Sequence, residues 1–258
     1  MPETQPRTPL LECREVDIRI GTVDVARRLT LTIHPGQCWC ILGRNGVGKT
    51  TLLHTLAGLR PPQRGNIELQ GRPLQAWSRR EIAQRLGILL QSHEDSFPAT
   101  VLETVLQGRH PYHRPWQWED AADLQLARQA LQRVDLEDFQ DRDILTLSGG
   151  ERRRIGLATL LAQDTPLMLL DEPTSHLDLH HSIAALKLLV DLCRDSKRAV
   201  VMVLHDVNLT ARFADHVLLL SGSGETIAGR SERVLTTDTL ERLYGLPLLG
   251  LETPTGPA

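Results

Sequence analysis

The chain has 258 residues, a net charge of −3 and 24% charged residues, which argues against a basic nucleic-acid-binding domain and against a largely disordered chain. No apolar run approaches the roughly 20 residues of a membrane-spanning helix, and residues 1–9 lack the apolar core of a signal peptide. Any membrane association is therefore expected to be peripheral. The four cysteines show no metal-binding spacing, which favours reduced thiols in a reducing compartment.

The first third of the chain alternates between strand-like and helix-like patterns. Two early stretches alternate polar and apolar residues and predict antiparallel strands. An apolar strand then runs into a glycine-rich loop, and a helix follows with Leu52, Leu53 and Leu56 on one face. The expected strands in this part are residues 10–20, 29–33, 39–42, 67–69 and 86–90.

The pattern becomes helical between about residues 100 and 140, where Leu124, Ala127, Leu131 and Val134 share one face of an amphipathic helix. After Ser148 strands and helices alternate again, which predicts a mostly parallel sheet with helices on its faces. The expected elements are strands at 167–170, 199–204 and 217–220 and helices at 183–193 and 207–213.

A phosphate-binding loop is predicted at residues 43–50, where G-R-N-G-V-G-K-T fits G-x-x-x-x-G-K-[ST] between a strand and a helix. The glycines let backbone N–H groups face phosphates, and the helix N-terminus adds a positive dipole end. We expect Lys49 to reach the β- and γ-phosphates and the Thr50 hydroxyl to ligate Mg²⁺. The nucleotide-binding candidates here are Gly43, Arg44, Asn45, Gly46, Val47, Gly48, Lys49, Thr50 and Thr51.

Two adjacent carboxylates, Asp171 and Glu172, follow the apolar strand at 167–170. Apolar strands often end in an acid, so the pair is a weak signal alone, but after a phosphate loop it is the expected partner. Asp171 is predicted to bind Mg²⁺ through water, and Glu172 to polarise the attacking water as a general base.

Residues 147–151 read L-S-G-G-E, in which Ser148 and Glu151 form an S-x-x-E capping box that opens the next helix. Gly149 and Gly150 leave that helix end open to an anion. The open helix end makes this segment a candidate anion site.

In this order the motifs resemble the nucleotide-binding subunit of ABC transporters, and the resemblance covers nearly the whole chain. The segments similar to the family's Walker A, signature, Walker B and D-loop are residues 43–50, 147–151, 167–172 and 175–178. Gln91 matches the Q-loop and His205 the switch histidine. The resemblance implies that Gln91 and His205 assist catalysis, that Gln91 also contacts the metal, and that Asp178 contacts nucleotide. It also implies nucleotide binding by the signature residues Ser148, Gly149, Gly150 and Glu151.

The resemblance also implies a fold and partners. The fold class is α/β, a P-loop NTPase with a mostly parallel sheet, an N-terminal antiparallel β part and an inserted helical subdomain at roughly 98–150. We expect one nucleotide-binding domain over 1–258, with ATP and Mg²⁺ as ligands. The implied partners are a second copy in a head-to-tail dimer, a polytopic permease and, indirectly, a substrate-binding protein, with no nucleic acid. The expected location is peripheral, on the cytoplasmic face of the inner membrane.

Residues 100–111 and 205–215 resemble subunits of importers for ferric siderophores, haem and cobalamin, and the cargo stays open among these. A non-transport ABC ATPase of DNA repair or the ribosome is the alternative, but those resemble paired ATPase domains or one domain split by a long coiled coil. A P-loop GTPase or small-molecule kinase is disfavoured, because the chain has no N-K-x-D motif and LSGGE has no place there.

Two further expectations concern single side chains. Ile20 stands where family members usually place an aromatic residue that stacks on adenine, so base selection is expected to be relaxed. The loop from Gln91 to Thr100 is predicted to act as a hinge, with Phe97 and the helices after it forming a groove for a cytoplasmic helix of the permease.

Overall fold

The computed structural model describes residues 8–91, 98–114, 116–194 and 197–245, whose strands form two sheets. Phe97 and the docking hypothesis attached to it lie outside the described residues. The first sheet has the order β2-β1-β4-β5 and is antiparallel, which confirms the expected N-terminal β part. Its strands are β1 (Leu11–Ile20), β2 (Val23–Ile33), β4 (Arg64–Leu69) and β5 (Arg72–Pro73).

Gly65, in β4, marks a close approach between β4 and β1. Its φ of +85° lies in the left-handed region, and a Cβ built there would lie 2.4 Å from the Glu15 carbonyl oxygen. Only glycine fits such a position without displacing backbone. The neighbouring register shift between Arg14 and Asp17 marks the same irregularity in β1.

The second sheet has the order β10-β9-β3-β8-β7-β6, and all its pairings are parallel except that of β10 with β9. This confirms the mostly parallel sheet. The antiparallel edge strand β10 was not expected, because its short sequence is largely exposed and lacks an apolar alternation. The strands are β3 (Cys38–Gly43), β6 (Leu86–Leu89), β7 (Leu167–Asp171), β8 (Ala199–Val203), β9 (His216–Leu220) and β10 (Thr226–Arg230).

Helices cover both faces of this sheet, so its central strands are buried throughout. Successive residues of β3 face different core clusters: Cys38 and Cys40 belong to one, Trp39 and Ile41 to the other. Cys38 and Cys40 therefore share one face of β3, and all four cysteines are free and buried.

The described helices are α1 (Lys49–Leu56), α2 (Arg79–Ala83), α3 (Val101–Leu106), α4 (Ala121–Gln132), α5 (Gly149–Gln163), α6 (Leu179–Arg194), α7 (Val207–Phe213), α8 (Ser231–Val234) and α9 (Thr237–Tyr244). Helices α3 and α4 pack on α5 in the region where a helical insertion is predicted. The bounds of that insertion and the single domain over 1–258 stay predictions. Within the described ranges, no helix is both long and apolar enough to cross a membrane.

Parallel strands bring their following loops to one edge of the sheet. Gly43 ends β3, Asp171 ends β7, His205 lies just after β8, and Gln91 lies just after β6. Residues more than 150 positions apart in the sequence therefore meet at this edge.

Candidate functional site

The phosphate loop joins β3 to α1 through two glycines in the left-handed region, Gly46 at φ +77° and Gly48 at φ +102°. A Cβ on Gly48 would lie 2.5 Å from Val25 Cγ2, so the strand β2 also limits this position to glycine. The chain turns sharply here and α1 begins at once with Lys49. The predicted strand–loop–helix context is thus present.

Lys49 is buried, with 6% of its surface exposed, and its Nζ donates to the carbonyl oxygens of Gly43 (2.9 Å) and Arg44 (3.1 Å). Burial lowers the pKa of Lys49, while the charges of Glu172 and Asp171 act in the opposite direction. The loop's own carbonyl groups therefore hold the Lys49 ammonium group at the phosphate loop. From there it can donate hydrogen bonds to a bound phosphate group.

Asp171 ends β7 fully buried, and neither of its carboxylate oxygens has a hydrogen-bond partner in the structure. A buried carboxylate without a partner is costly, and a bound cation is one way to compensate it. Carboxylate and hydroxyl oxygens are ligands that suit Mg²⁺. Asp171 together with the Thr50 hydroxyl therefore fits a magnesium site.

Glu172 has an uncommon backbone conformation for a side-chain-bearing residue, with φ +50°. Its Oε1 lies 2.5 Å from Nε2 of His205. The two side chains form a contact across the ends of β7 and β8, which brings the predicted general base and the predicted switch histidine together.

A pocket of about 510 Å³ collects most of the candidates at this edge. It is lined by Ile20, Asn45, Gly46, Gly48, Lys49, Thr50, Gln91, Glu172 and His205. An adjoining pocket is lined by Gly43, Arg44, Asn45, His205 and Tyr244. Ile20, 38% exposed, is thus one of the residues that line the phosphate-loop pocket, and its place beside the base stays a prediction.

The signature residues do not line either pocket. Ser148 Oγ accepts from Glu151 N–H (3.3 Å), and Glu151 Oε2 accepts from the Ser148 N–H (2.7 Å), so the capping box is present. Hydrogen bonds from Ser148 lower the pKa of Glu151. Asp178 also lies apart, accepting from the N–H of His181 at 2.8 Å. One chain alone therefore does not bring these candidates to the phosphate loop.

A groove of about 490 Å³ lies on the other side of Gln91, between β6, α3 and α5. Gln107, Gly149 and His176 are among its lining residues, and Gln91 lines both this groove and the phosphate-loop pocket. The groove and the nucleotide pocket are therefore neighbours that share the Gln91 side chain.

Arg153 was not singled out by sequence reasoning, because the run Arg152-Arg153-Arg154 resembles a solvated charged face. It is 7% exposed, and burial lowers its pKa, while the negative charges of Asp171 and Glu172 act to raise it. Its spacing to the buried Leu157 and Leu160 on the same face of α5 is the signal that could have found it.

Comparison with known proteins agrees with this geometry. The family model described as ABC transporter matches residues 26–175. The chain is 37% identical over 248 residues to the ferric enterobactin transport ATP-binding protein FepC of Escherichia coli (strain K12), covering 95% of this chain and 90% of that protein. It is 42% identical over 230 residues to the hemin import ATP-binding protein HmuV of Nocardia farcinica (strain IFM 10152), covering 89% of this chain and 79% of that protein.

Among solved structures, the chain matches an inward-facing ABC transporter described as of the metal-chelate type. The TM-score is 0.82 at 31% identity, with 93% of this chain and 90% of that chain covered. The family match spans more than half of the chain, and the two relatives are similar over most of their length. The chain therefore belongs to the ABC transporter family, among its ATP-binding ATPase subunits.

Proposed function

We propose that this chain hydrolyses ATP to drive import of a metal chelate, a ferric siderophore or haem, or of cobalamin, through a separate membrane permease. The observation that carries the proposal is that the phosphate loop, Glu172 and His205 share one pocket in a chain so similar to siderophore and haem import subunits. The alternative, a non-transport ATPase, gains no support from these relatives.

The pocket supports a division of roles in hydrolysis. The phosphate loop and Lys49 bind the triphosphate, and Glu172 takes a proton from the attacking water. His205, 2.5 Å from Glu172, orients that carboxylate. Thr50, Asp171 and Gln91 would hold Mg²⁺, which when bound neutralises charge on the β- and γ-phosphate oxygens.

The working unit proposed is a head-to-tail dimer of two copies. Ser148, Gly149 and Gly150 open α5 on the surface, yet they do not line the chain's own phosphate-loop pocket. A second copy, placed with its signature over that pocket, would supply the missing donors to the triphosphate. The site is complete only in this arrangement.

The groove between α3, α5 and Gln91 is proposed as the docking site of a cytoplasmic helix of the permease. It lies beside the helical insertion, and Gln91 connects it to the nucleotide pocket. The subunit would then lie on the cytoplasmic face of the inner membrane, with the substrate-binding protein acting from the other side through the permease.

Gln107→Lys tests this docking site. Gln107 is exposed on the groove, where a longer, charged side chain would obstruct an incoming helix. We expect free ATPase activity within about twofold of the parent, with loss of co-purification with the permease and of uptake. Gln129→Lys, at another exposed glutamine, on α4 and outside the groove, is the control that should change neither ATPase activity nor assembly and uptake. Normal assembly of the Gln107→Lys subunit would place docking elsewhere.

Ile20→Tyr tests the base site. An aromatic ring in place of Ile20 should stack on adenine and tighten ATP binding by about 2- to 10-fold, the equivalent of a ~0.5–1.5 kcal/mol stack, and we expect a smaller gain for GTP. Competition binding with ATP and GTP measures this. Val23→Tyr is the control, because Val23 pairs with Ile20 across the β1–β2 turn but does not line the pocket. Equal affinities in the parent and Ile20→Tyr would mean that another side chain holds the base.

The cargo class is tested in a strain that lacks this subunit. Uptake of several ferric siderophores, haem and cobalamin is measured one by one. The proposal predicts loss of uptake for one of these compounds and its recovery with the parent chain. Unaltered uptake of every compound would contradict it.

A further inference from the structure

Arg153 makes a set of contacts that no motif accounts for. Its Nη1 donates to the carbonyl oxygen of Leu90 at 2.6 Å, and its Nη2 donates to the carbonyl oxygens of Asp171 and, at 2.7 Å, of Glu172. Leu90 immediately precedes Gln91. One buried guanidinium therefore joins α5, the helix that opens with the signature, to the ends of β6 and β7.

These contacts stabilise a backbone segment that is otherwise unfavourable. Glu172 has φ +50°, a region that residues with side chains occupy only where the surrounding structure enforces it. Arg153 donates hydrogen bonds to the carbonyl oxygens of Asp171 and Glu172, which lie immediately before and after the N–Cα bond of Glu172. Charge-assisted hydrogen bonds of this kind are about twice as strong as neutral ones.

We propose that Arg153 is a positioning residue that holds the Asp171–Glu172 backbone and the end of β6 in the arrangement needed for hydrolysis. The inference rests on the roles proposed above for Asp171 and Glu172. It also makes Arg153 a link between the signature helix and the same subunit's hydrolytic carboxylate, so a movement of α5 is passed to Glu172 and to Gln91.

The geometry predicts which substitutions matter. A glutamine is too short to reach three carbonyl groups, and a lysine keeps the charge but replaces the planar fork by a single point donor. Arg154 is the matched control. It lies next to Arg153 on α5, and its Nη1 also donates to two carbonyl groups, Val134 (3.0 Å) and Asp135 (3.3 Å), but these follow α4 and lie outside the nucleotide pocket.

The test compares Arg153→Gln, Arg153→Lys and Arg154→Gln in the full chain. Because a misplacement of about 1 Å can cost ~100-fold in rate, we expect kcat to fall about 100-fold in Arg153→Gln. The kcat of Arg153→Lys should fall about 10-fold, because lysine replaces the planar guanidinium fork only in part. Arg154→Gln should keep the parent kcat. ATP affinity, measured by binding, and KM should stay within about threefold of the parent in all three variants.

A purely structural role predicts a different pattern, in which the melting temperature, ATP binding and kcat fall together. That pattern, or a parental kcat in Arg153→Gln, would overturn the proposal. If Arg153→Gln does not fold, a parental kcat in Arg153→Lys would overturn it equally. Glu172→Gln, assayed in parallel, separates the two claims. If Glu172→Gln hydrolyses ATP normally, the proposed role of Glu172 fails. If Glu172→Gln is inactive while Arg153→Gln is active, only the role of Arg153 is rejected.

Discussion

Glu172→Gln is expected to bind ATP with the parental affinity and to lose nearly all turnover. An amide cannot accept the proton of the attacking water, and a positioned general base contributes about 10²- to 10⁴-fold to a rate. Glutamine has the same shape as glutamate, so the contact with His205 can persist while the proton acceptor is lost. Steady-state ATPase assays and equilibrium ATP binding measure the two effects separately.

The same substitution should make the ATP-bound dimer accumulate, which light scattering with and without ATP would detect. Glu225→Gln, at an exposed glutamate before β10, is the control and should retain the parental kcat. Turnover of Glu172→Gln at the parental rate would remove Glu172 from the role of base.

Lys49→Ala is expected to fail at an earlier step, the binding of nucleotide itself. It removes a buried charge beside the phosphate loop, and charge-assisted hydrogen bonds of about 1.5–3 kcal/mol correspond to a roughly 10- to 100-fold weaker Kd for ATP. Equilibrium binding of ATP measures the loss. The carbonyl groups of Gly43 and Arg44 also lose their donor, so the melting temperature is recorded alongside.

Lys187→Ala provides the control for Lys49→Ala, because Lys187 is exposed on α6 away from the pocket. It should keep the parental affinity. Lys49→Ala with unchanged ATP affinity would argue against residues 43–50 as the phosphate-binding loop.

Local chemistry explains what the sequence could predict. The phosphate loop needs glycines, a lysine and a hydroxyl residue in consecutive positions, so residues 43–50 reveal it directly. The strand ending in Asp171-Glu172 and the capping box at Ser148 are equally local. The mostly parallel sheet follows from the alternation of strands and helices, and the structure confirms it.

Long-range contacts explain most of the features that could not be predicted from the sequence. The apolar spacing of α5 indicates a buried position at Arg153, but it does not reveal the partners of the guanidinium group, which lie at the ends of β6 and β7, 63 and 19 positions away. Strand β10 depends on pairing with β9 rather than on an apolar pattern of its own. The short helix α2 had a local signal, the capping box of Ser78 and Glu81, but five residues give no apolar period.

Complementation of uptake tests directly whether hydrolysis at Glu172 drives import of a metal chelate or cobalamin. A strain lacking this subunit is supplied with the parent chain or with Glu172→Gln, at equal membrane-bound amounts, and uptake of the compound that the deletion abolishes is followed. We expect that the parent restores uptake and that Glu172→Gln assembles with the permease yet restores none. Parental uptake with Glu172→Gln would contradict it.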